Sequence, residues 1–123
     1  MESHHWDSDR INVPVLHGLE AIEHSKILFC KAWGNYTIFC LCGTGETILV
    51  TWTLKKCEEQ LAGKGFCRIH KSYLINLHHY HKYFKGRDGD VLLDNGKHLT
   101  VSRTYKTNFL EMLGNIKGNT SHP

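Results

Sequence analysis

No apolar run in the 123-residue chain comes near the roughly 20 residues that a membrane-spanning helix needs. The first ten residues, MESHHWDSDR, are polar and acidic and lack the apolar core of a secretory signal. These two absences predict a cytoplasmic protein with no membrane partner. The signatures of common catalytic sets are also missing. There is no Gly-x-Ser-x-Gly elbow, no Walker loop and no His-Glu-x-x-His helix. Glu58 and Glu59 are adjacent, so on a helix they diverge and cannot converge on one bond as an acid/base pair. The expectation is a protein that is not an enzyme and carries no cofactor. The five cysteines are an odd number and include no Cys-x-x-Cys pair. Set in apolar or alternating stretches, Cys30, Cys40, Cys42, Cys57 and Cys67 read as reduced thiols acting as small hydrophobes rather than a disulfide framework. Cys67, close to Arg68 and His70, raises a thiolate nucleophile as an alternative, but a buried strand-borne thiol is the reading adopted.

What is present is enough for one domain and one real core. Apolar residues make up 41% and charged residues 22%, an ordinary globular composition. The net charge of +3 is unevenly spread. Residues 1–63 carry five Lys/Arg against eight Asp/Glu, whereas residues 64–110 carry nine against three and five of the ten histidines. A basic half of this kind fits a nucleic acid or another acidic partner, although a plain basic face is the alternative. The stretch 66–76, FCRIHKSYLIN, concentrates the asymmetry. Arg68, His70, Lys71 and Ser72 fall within five positions, ahead of the apolar strand-like Tyr73-Leu74-Ile75. Cations and hydroxyls ahead of a strand anchored in a core suit a grip on phosphates or base edges. The competing reading is an ordinary strand preceded by a solvated basic loop.

Patterning predicts the elements in order. Residues 1–10 read as a tail, and 10–15 as an edge strand marked by Pro14. Residues 16–25 read as a connector, and 26–32 as an apolar strand ended by Gly34-Asn35. Residues 36–42 alternate, with Tyr36, Ile38, Cys40 and Cys42 on one face and Thr37, Phe39 and Leu41 on the other. A Gly43-Thr44-Gly45 turn leads into the return strand 46–52. Thr53 opens a short helix with Leu54, Cys57, Glu58 and Leu61 on one face and Gly63 as its stop; Lys55 and Lys56 stay in water. Residues 85–89 form a turn. Strands 90–93 and 97–101 flank an Asn95-Gly96 hairpin, and Ser102 caps a final helix with an apolar stripe of Tyr105, Phe109, Met112 and Leu113, ended by Gly114. Residues 114–123 read as a polar tail. His78, His79 and His81 invite a metal, but in a strand His78 points away from the other two and no partnering carboxylate motif completes a site, so no metal is expected. Arg103 and Lys106 sit in the first turn of the last helix, against its dipole, which favours an anion docking there.

The segments KILFCKAWGNYTIFCL, ETILVTWTLKKCEEQL, FCRIHKSYLINL and LDNGKHLTVSRTYKTNFLEML, in this order, resemble the LytTR domain, the DNA-binding output module of bacterial LytR/AlgR-type response regulators. The resemblance spans residues 11–113. Its most specific parts are Arg68-x-His70-x-Ser72-Tyr73-x-x-Asn76 and Asn95-Gly96 followed by Val101-Ser102-Arg103. It implies a mainly β (α+β) fold: small, mostly antiparallel sheets, one short central helix and a C-terminal helix. It also implies that loops, not a recognition helix, read double-stranded DNA and regulate transcription. By position, the first loop holds Asn35 and Tyr36, the middle loop His70, Lys71 and Ser72, and the last Ser102 and Arg103; Arg68, in the same motif as the middle loop, is also expected to bind DNA. The outer loops enter successive major grooves and the middle one faces the minor groove between them. Arg103 is the base-contact candidate, with two hydrogen bonds to guanine. Lys71, Ser72 and Lys106 hold phosphates. Repeated half-sites and a homodimer on DNA are the arrangement such a small reader favours. The chain is too short for the receiver domain that commonly precedes this module, so a regulator lacking one is expected. The alternative is a module of the same fold that has lost DNA binding and uses exposed Trp33, Tyr80 and Tyr83 as protein-interaction anchors.

Overall fold

Ile27, Leu28, Phe29 and Cys30 are all buried, and a strand hidden on both faces must lie in the middle of a fold. In the computed structural model, which describes residues 9–86 and 89–117, this strand, β3 (Ile27–Trp33), is the central member of a five-stranded antiparallel sheet. On one side β3 pairs with β4 (Tyr36–Leu41), which pairs with β5 (Thr47–Val50). On the other it pairs with β7 (Tyr73–Asn76), which pairs with β6 (Phe66–His70). A bulge between Ile27 and Phe29 breaks the two-residue alternation of β3. Leu28 and Phe29 therefore both join one core, while Ile27 and Cys30 join the other.

The sheet separates two apolar clusters. On the first face, Ile27, Phe39, Val50, Phe66 and Leu74 meet Val13 and Ile22 of a hairpin formed by β1 (Arg10–Val15) and β2 (Gly18–Glu23). They also meet Leu54, Cys57 and Leu61 on and beside helix α1 (Leu54–Gln60). On the second face, Phe29, Cys67, Ile69 and Ile75 meet a three-stranded antiparallel sheet, β8 (Tyr80–Phe84), β9 (Asp90–Leu93) and β10 (His98–Thr100), and the long helix α2 (Arg103–Lys117). Phe109 of α2 is fully buried there. Each such large side chain contributes about 1.5–3 kcal/mol by leaving water. Buried Asn76 is fully partnered: its amide nitrogen donates to the Ile27 carbonyl (3.0 Å) and its side-chain oxygen accepts from the His78 N–H (3.0 Å). It welds β7 to the start of β3, so this member of the sequence motif serves the scaffold.

The fold is the mainly antiparallel β arrangement with two helices that the resemblance implies. Four local expectations differ. Residues 16–25 contain strand β2, missed because only Ile22 of its six residues is buried and an edge strand so exposed shows no alternation. His70, expected in the middle loop, is the last residue of strand β6, and only Lys71 and Ser72 turn the chain back. Glu58 faces out from α1 instead of joining its buried stripe. Helix α2 passes through Gly114 to Lys117, because Met112 and Leu113 packed on the second core outweigh the roughly 0.5–1 kcal/mol helix penalty of a glycine. The expected C-terminal tail is therefore helical to Lys117. The rest of it, most of the N-terminal tail, and Arg87 and Asp88 of the expected turn lie outside the described residues.

Candidate nucleic-acid interface

Antiparallel register decides which turns share an end of the sheet. Trp33 pairs with Tyr36 across the Gly34-Asn35 turn, and Lys31 pairs with Tyr73 at the start of β7. The β3–β4 turn and the β6–β7 turn therefore leave the sheet side by side, tied by the Ala32 N–H donating to the Ser72 carbonyl at 2.9 Å. A third turn, between β10 and α2, docks on the outer side of β6: the Ser102 N–H donates to the Ile69 carbonyl at 2.8 Å. Along one edge the order is thus 34–35, 71–72, 102–103. With strands about 4.8 Å apart, the outer turns lie roughly 15–17 Å from each other, with the 71–72 turn between them.

Each turn has its own local cause. Gly34 holds φ at +62°, a left-handed value that glycine adopts freely, and the tight reversal puts Asn35 and Tyr36 in solvent beside an exposed Trp33. In the middle turn the Ser72 N–H donates to His70 Nδ1 at 3.0 Å. That bond makes Nδ1 the acceptor and leaves the ring proton on Nε2. The His70 ring also rests on Tyr73, at 5.2 Å between centroids. A bulge between Arg68 and His70 lets the turn close on two residues, Lys71 exposed and Ser72 half-buried. In the last turn Val101 is buried, and the Tyr105 N–H donates to the Ser102 carbonyl at 3.0 Å, starting α2.

Arg68 is set apart from the other cations. Its Nε donates to the His70 carbonyl (2.8 Å), Nη2 to the Lys71 carbonyl (2.7 Å) and Nη1 to Glu58 Oε1 of α1 (2.9 Å). Its guanidinium carbon lies 5.6 Å from the centre of the Tyr105 ring on α2. The Arg68 side chain is only 14% exposed. Lys71, Arg103 and Lys106, by contrast, form no ion pair among the described residues. Arg103 is exposed, Lys106 is half-buried, and the first turn of α2 contains no acidic residue. The edge therefore presents unneutralised positive charge.

Three contributors were not singled out from sequence. Lys31, exposed on β3 three residues before the Gly34 turn, adds a cation near this edge; its spacing from that turn was the available signal. Glu58 and Tyr105 matter only through Arg68, a long-range meeting that spacing does not disclose. Of the expected protein-interaction anchors only Trp33 is exposed (59%); Tyr80 and Tyr83 are half-buried against the second core. Cys67 is buried, and burial with the nearby Glu58 charge pushes its thiol up to about 12, the environment of a packing thiol rather than of an activated one. The histidines diverge: His78 lies against Gly65, His79 bridges the Ser25 carbonyl (2.7 Å) and Asp94 (3.5 Å), and His81 is exposed. Among the described residues no three His, Cys, Asp or Glu side chains gather to hold a metal ion. No described helix is long and apolar enough to cross a membrane.

Residues 17–114 match the profile of the LytTr DNA-binding domain family. Among solved structures, a LytTr DNA-binding domain from Bacillus cereus is similar, at 22% identity and a TM-score of 0.73, over 86% of this chain and 97% of that one. No curated protein matches the chain.

Proposed function

The chain belongs to the LytTr DNA-binding domain family, and from that premise we propose that it is a sequence-specific transcriptional regulator that reads duplex DNA with the three turns of one sheet edge. The observation that carries this reading is the edge itself: three adjacent turns, with Lys71 in the middle one and Arg103 and Lys106 at the start of α2 beside the last, none of these cations with a carboxylate partner among the described residues. A positive surface held open in this way gains when it replaces the counterions condensed on phosphates.

The dimensions agree with one face of B-DNA. The minor groove is roughly 6 Å wide and the major groove about 12 Å. Outer turns roughly 15–17 Å apart therefore straddle a minor groove that lies under the middle turn, and each reaches the near side of a major groove. In this arrangement Arg103 is the base reader, since a guanidinium makes two hydrogen bonds to guanine O6 and N7. Asn35 and Tyr36 address the other major groove. Lys71, Ser72 and Lys106 hold phosphates and set the register, and His70 offers its Nε2–H from the middle turn. Ser102 shapes the last turn and presents its hydroxyl beside Arg103. Such a small footprint specifies few base pairs, so two copies on repeated half-sites supply the remaining specificity. Of the three aromatic anchors that a protein-binding role would use, Trp33 alone is exposed, and a single aromatic anchor makes a weak interface core.

The test is selection from a random duplex pool with the purified chain, followed by binding to the enriched site across a salt series. Enrichment of a short, repeated motif is expected, with log K falling by about 0.9 per phosphate neutralised for each unit of log salt. Retention without enrichment would reduce the role to non-specific electrostatics. A flat salt response, or no retention, would turn the reading to the protein-interaction module.

A further inference from the structure

We infer that Arg68 is a positioning residue, not a DNA contact: the Glu58–Arg68–Tyr105 assembly sets the middle turn against α1 and against the start of α2, and so fixes the spacing of two of the three DNA-reading turns. The inference rests on the DNA-reading role proposed above. Three observations support it.

The first is donor accounting. The guanidinium donates through Nε, Nη1 and Nη2 to the His70 carbonyl, Glu58 Oε1 and the Lys71 carbonyl, all within 2.9 Å. Three of its five N–H groups are committed, and with the side chain only 14% exposed the remaining two have little access to a phosphate. The second is what those acceptors are. The His70 and Lys71 carbonyls flank the reversal itself, so the fork of the guanidinium holds the turn from inside, where β-ladder bonds cannot. The third is reach. Glu58 belongs to α1 on the first face of the sheet, while Tyr105, under the guanidinium at 5.6 Å, belongs to the first turns of α2. Arg68 is thus the side chain on which α1, the middle turn and the element carrying Arg103 and Lys106 meet. A reader whose outer and middle turns must enter neighbouring grooves needs their separation held to a fraction of an ångström. Lysine cannot substitute, because an ammonium lacks the planar fork that serves two carbonyls and a carboxylate together.

Glu58 supplies a test of sign. If Arg68 touched phosphate, removing Glu58 would free the guanidinium and delete a negative charge near DNA, so Glu58→Ala would bind more tightly. If Arg68 is a brace, Glu58→Ala binds its selected site more weakly despite that electrostatic gain. The experiment compares wild type, Glu58→Ala, Glu58→Gln, Arg68→Lys and Arg68→Ala on the selected site and on random duplex across a salt series. Amide hydrogen exchange of Ser72 and Tyr73 is followed in the DNA-free proteins. The expected result is a loss on the order of tenfold or more in the specific-to-random affinity ratio for Arg68→Lys and Glu58→Ala. Their salt slopes stay unchanged, and Glu58→Gln, which keeps an acceptor for Nη1, retains most of the ratio. Faster Ser72 exchange in the free variants is expected whether or not DNA is the partner, which separates failure of the brace from failure of the DNA reading. Tighter binding by Glu58→Ala, or a salt slope shallower by about 0.9 in Arg68→Ala, would overturn the inference. Glu58 is at a helix surface, so its variants keep the test open if Arg68→Ala does not fold.

Discussion

Within one sequence motif, residues of similar chemistry divide into those that face out and those that hold the turn. Lys71 and Arg68 are three positions apart; one is exposed and has no ion pair among the described residues, the other spends its charge on two carbonyls and a carboxylate. The distinction predicts different kinds of loss. Arg103→Ala should cost about 1–3 kcal/mol on the selected site and relax preference at one base position, because a guanidinium discriminates guanine through paired hydrogen bonds. A selection repeated with that variant checks it, and an unchanged motif would remove Arg103 from the readers. Lys106→Ala should instead weaken every duplex about equally and make the salt slope shallower by about 0.9, the mark of one lost phosphate contact. A loss confined to the selected site would contradict that role. At this scale the residue types were legible in the sequence, since a basic and hydroxyl-rich cluster stands out from its neighbours. Which members point outward was not, because Arg68 finds Glu58 and Tyr105 from elements ten and 37 positions away.

The elements matter through the ends they present. The Gly34-Asn35 turn depends on a backbone value of +62°, so Gly34→Ala should destabilise the protein by roughly 1 kcal/mol or more and displace Asn35 and Tyr36. No heavy atom lies within 4 Å of an added Cβ there, so the cost is conformational and not a clash. A modest fall in the thermal midpoint, with the motif altered only at the base pairs of one outer groove, is the expected result. Helix α2 is held differently. Phe109, fully buried against Tyr83 at 5.4 Å between ring centres, anchors the helix whose first residue is Arg103. Phe109→Ala should cost about 3–5 kcal/mol by opening a cavity in the second core, measured by denaturant unfolding. Helices and hairpins with strong periodicity or an Asn-Gly turn were readable from sequence. Strand β2 was not, since its exposed positions carry no pattern, and neither was the end of α2, where packing overrides a glycine.

For the whole molecule, two cores on either face of one sheet hold three turns in a row. The buried thiols make that packing sensitive to alkali. Burial raises the Cys67 thiol to about 12 and Cys57 to about 11, and raises Cys30 well above the ordinary thiol value. The folded state binds these protons more tightly than the unfolded chain does. Their contribution is therefore complete below pH 9 and is lost as pH rises from 9 through the folded values. Each such group lowers stability by about 1.4 kcal/mol per pH unit while only the unfolded form ionises. Denaturant midpoints should fall above pH 9, and Cys67→Ala should flatten that fall relative to wild type. An equal slope in both proteins would show that Cys67 ionises freely when folded.

What the sequence by itself determined is the alphabet of elements and the location of charge. Alternating and helical periods, turn residues and the basic second half follow from neighbours along the chain, and local spacing is enough to specify them. Their motif order was also sufficient for the family resemblance. What only the tertiary structure decided is which turns stand together and which cations remain free. Antiparallel register brings residues 34–35, 71–72 and 102–103 to one edge, and hydrogen bonds to Ile69 and Ser72 tie them there. The fold also turns Arg68 inward onto Glu58 and the carbonyls of its own turn. These are relations between distant segments, determined by how two cores close over a common sheet, and no local pattern encodes them.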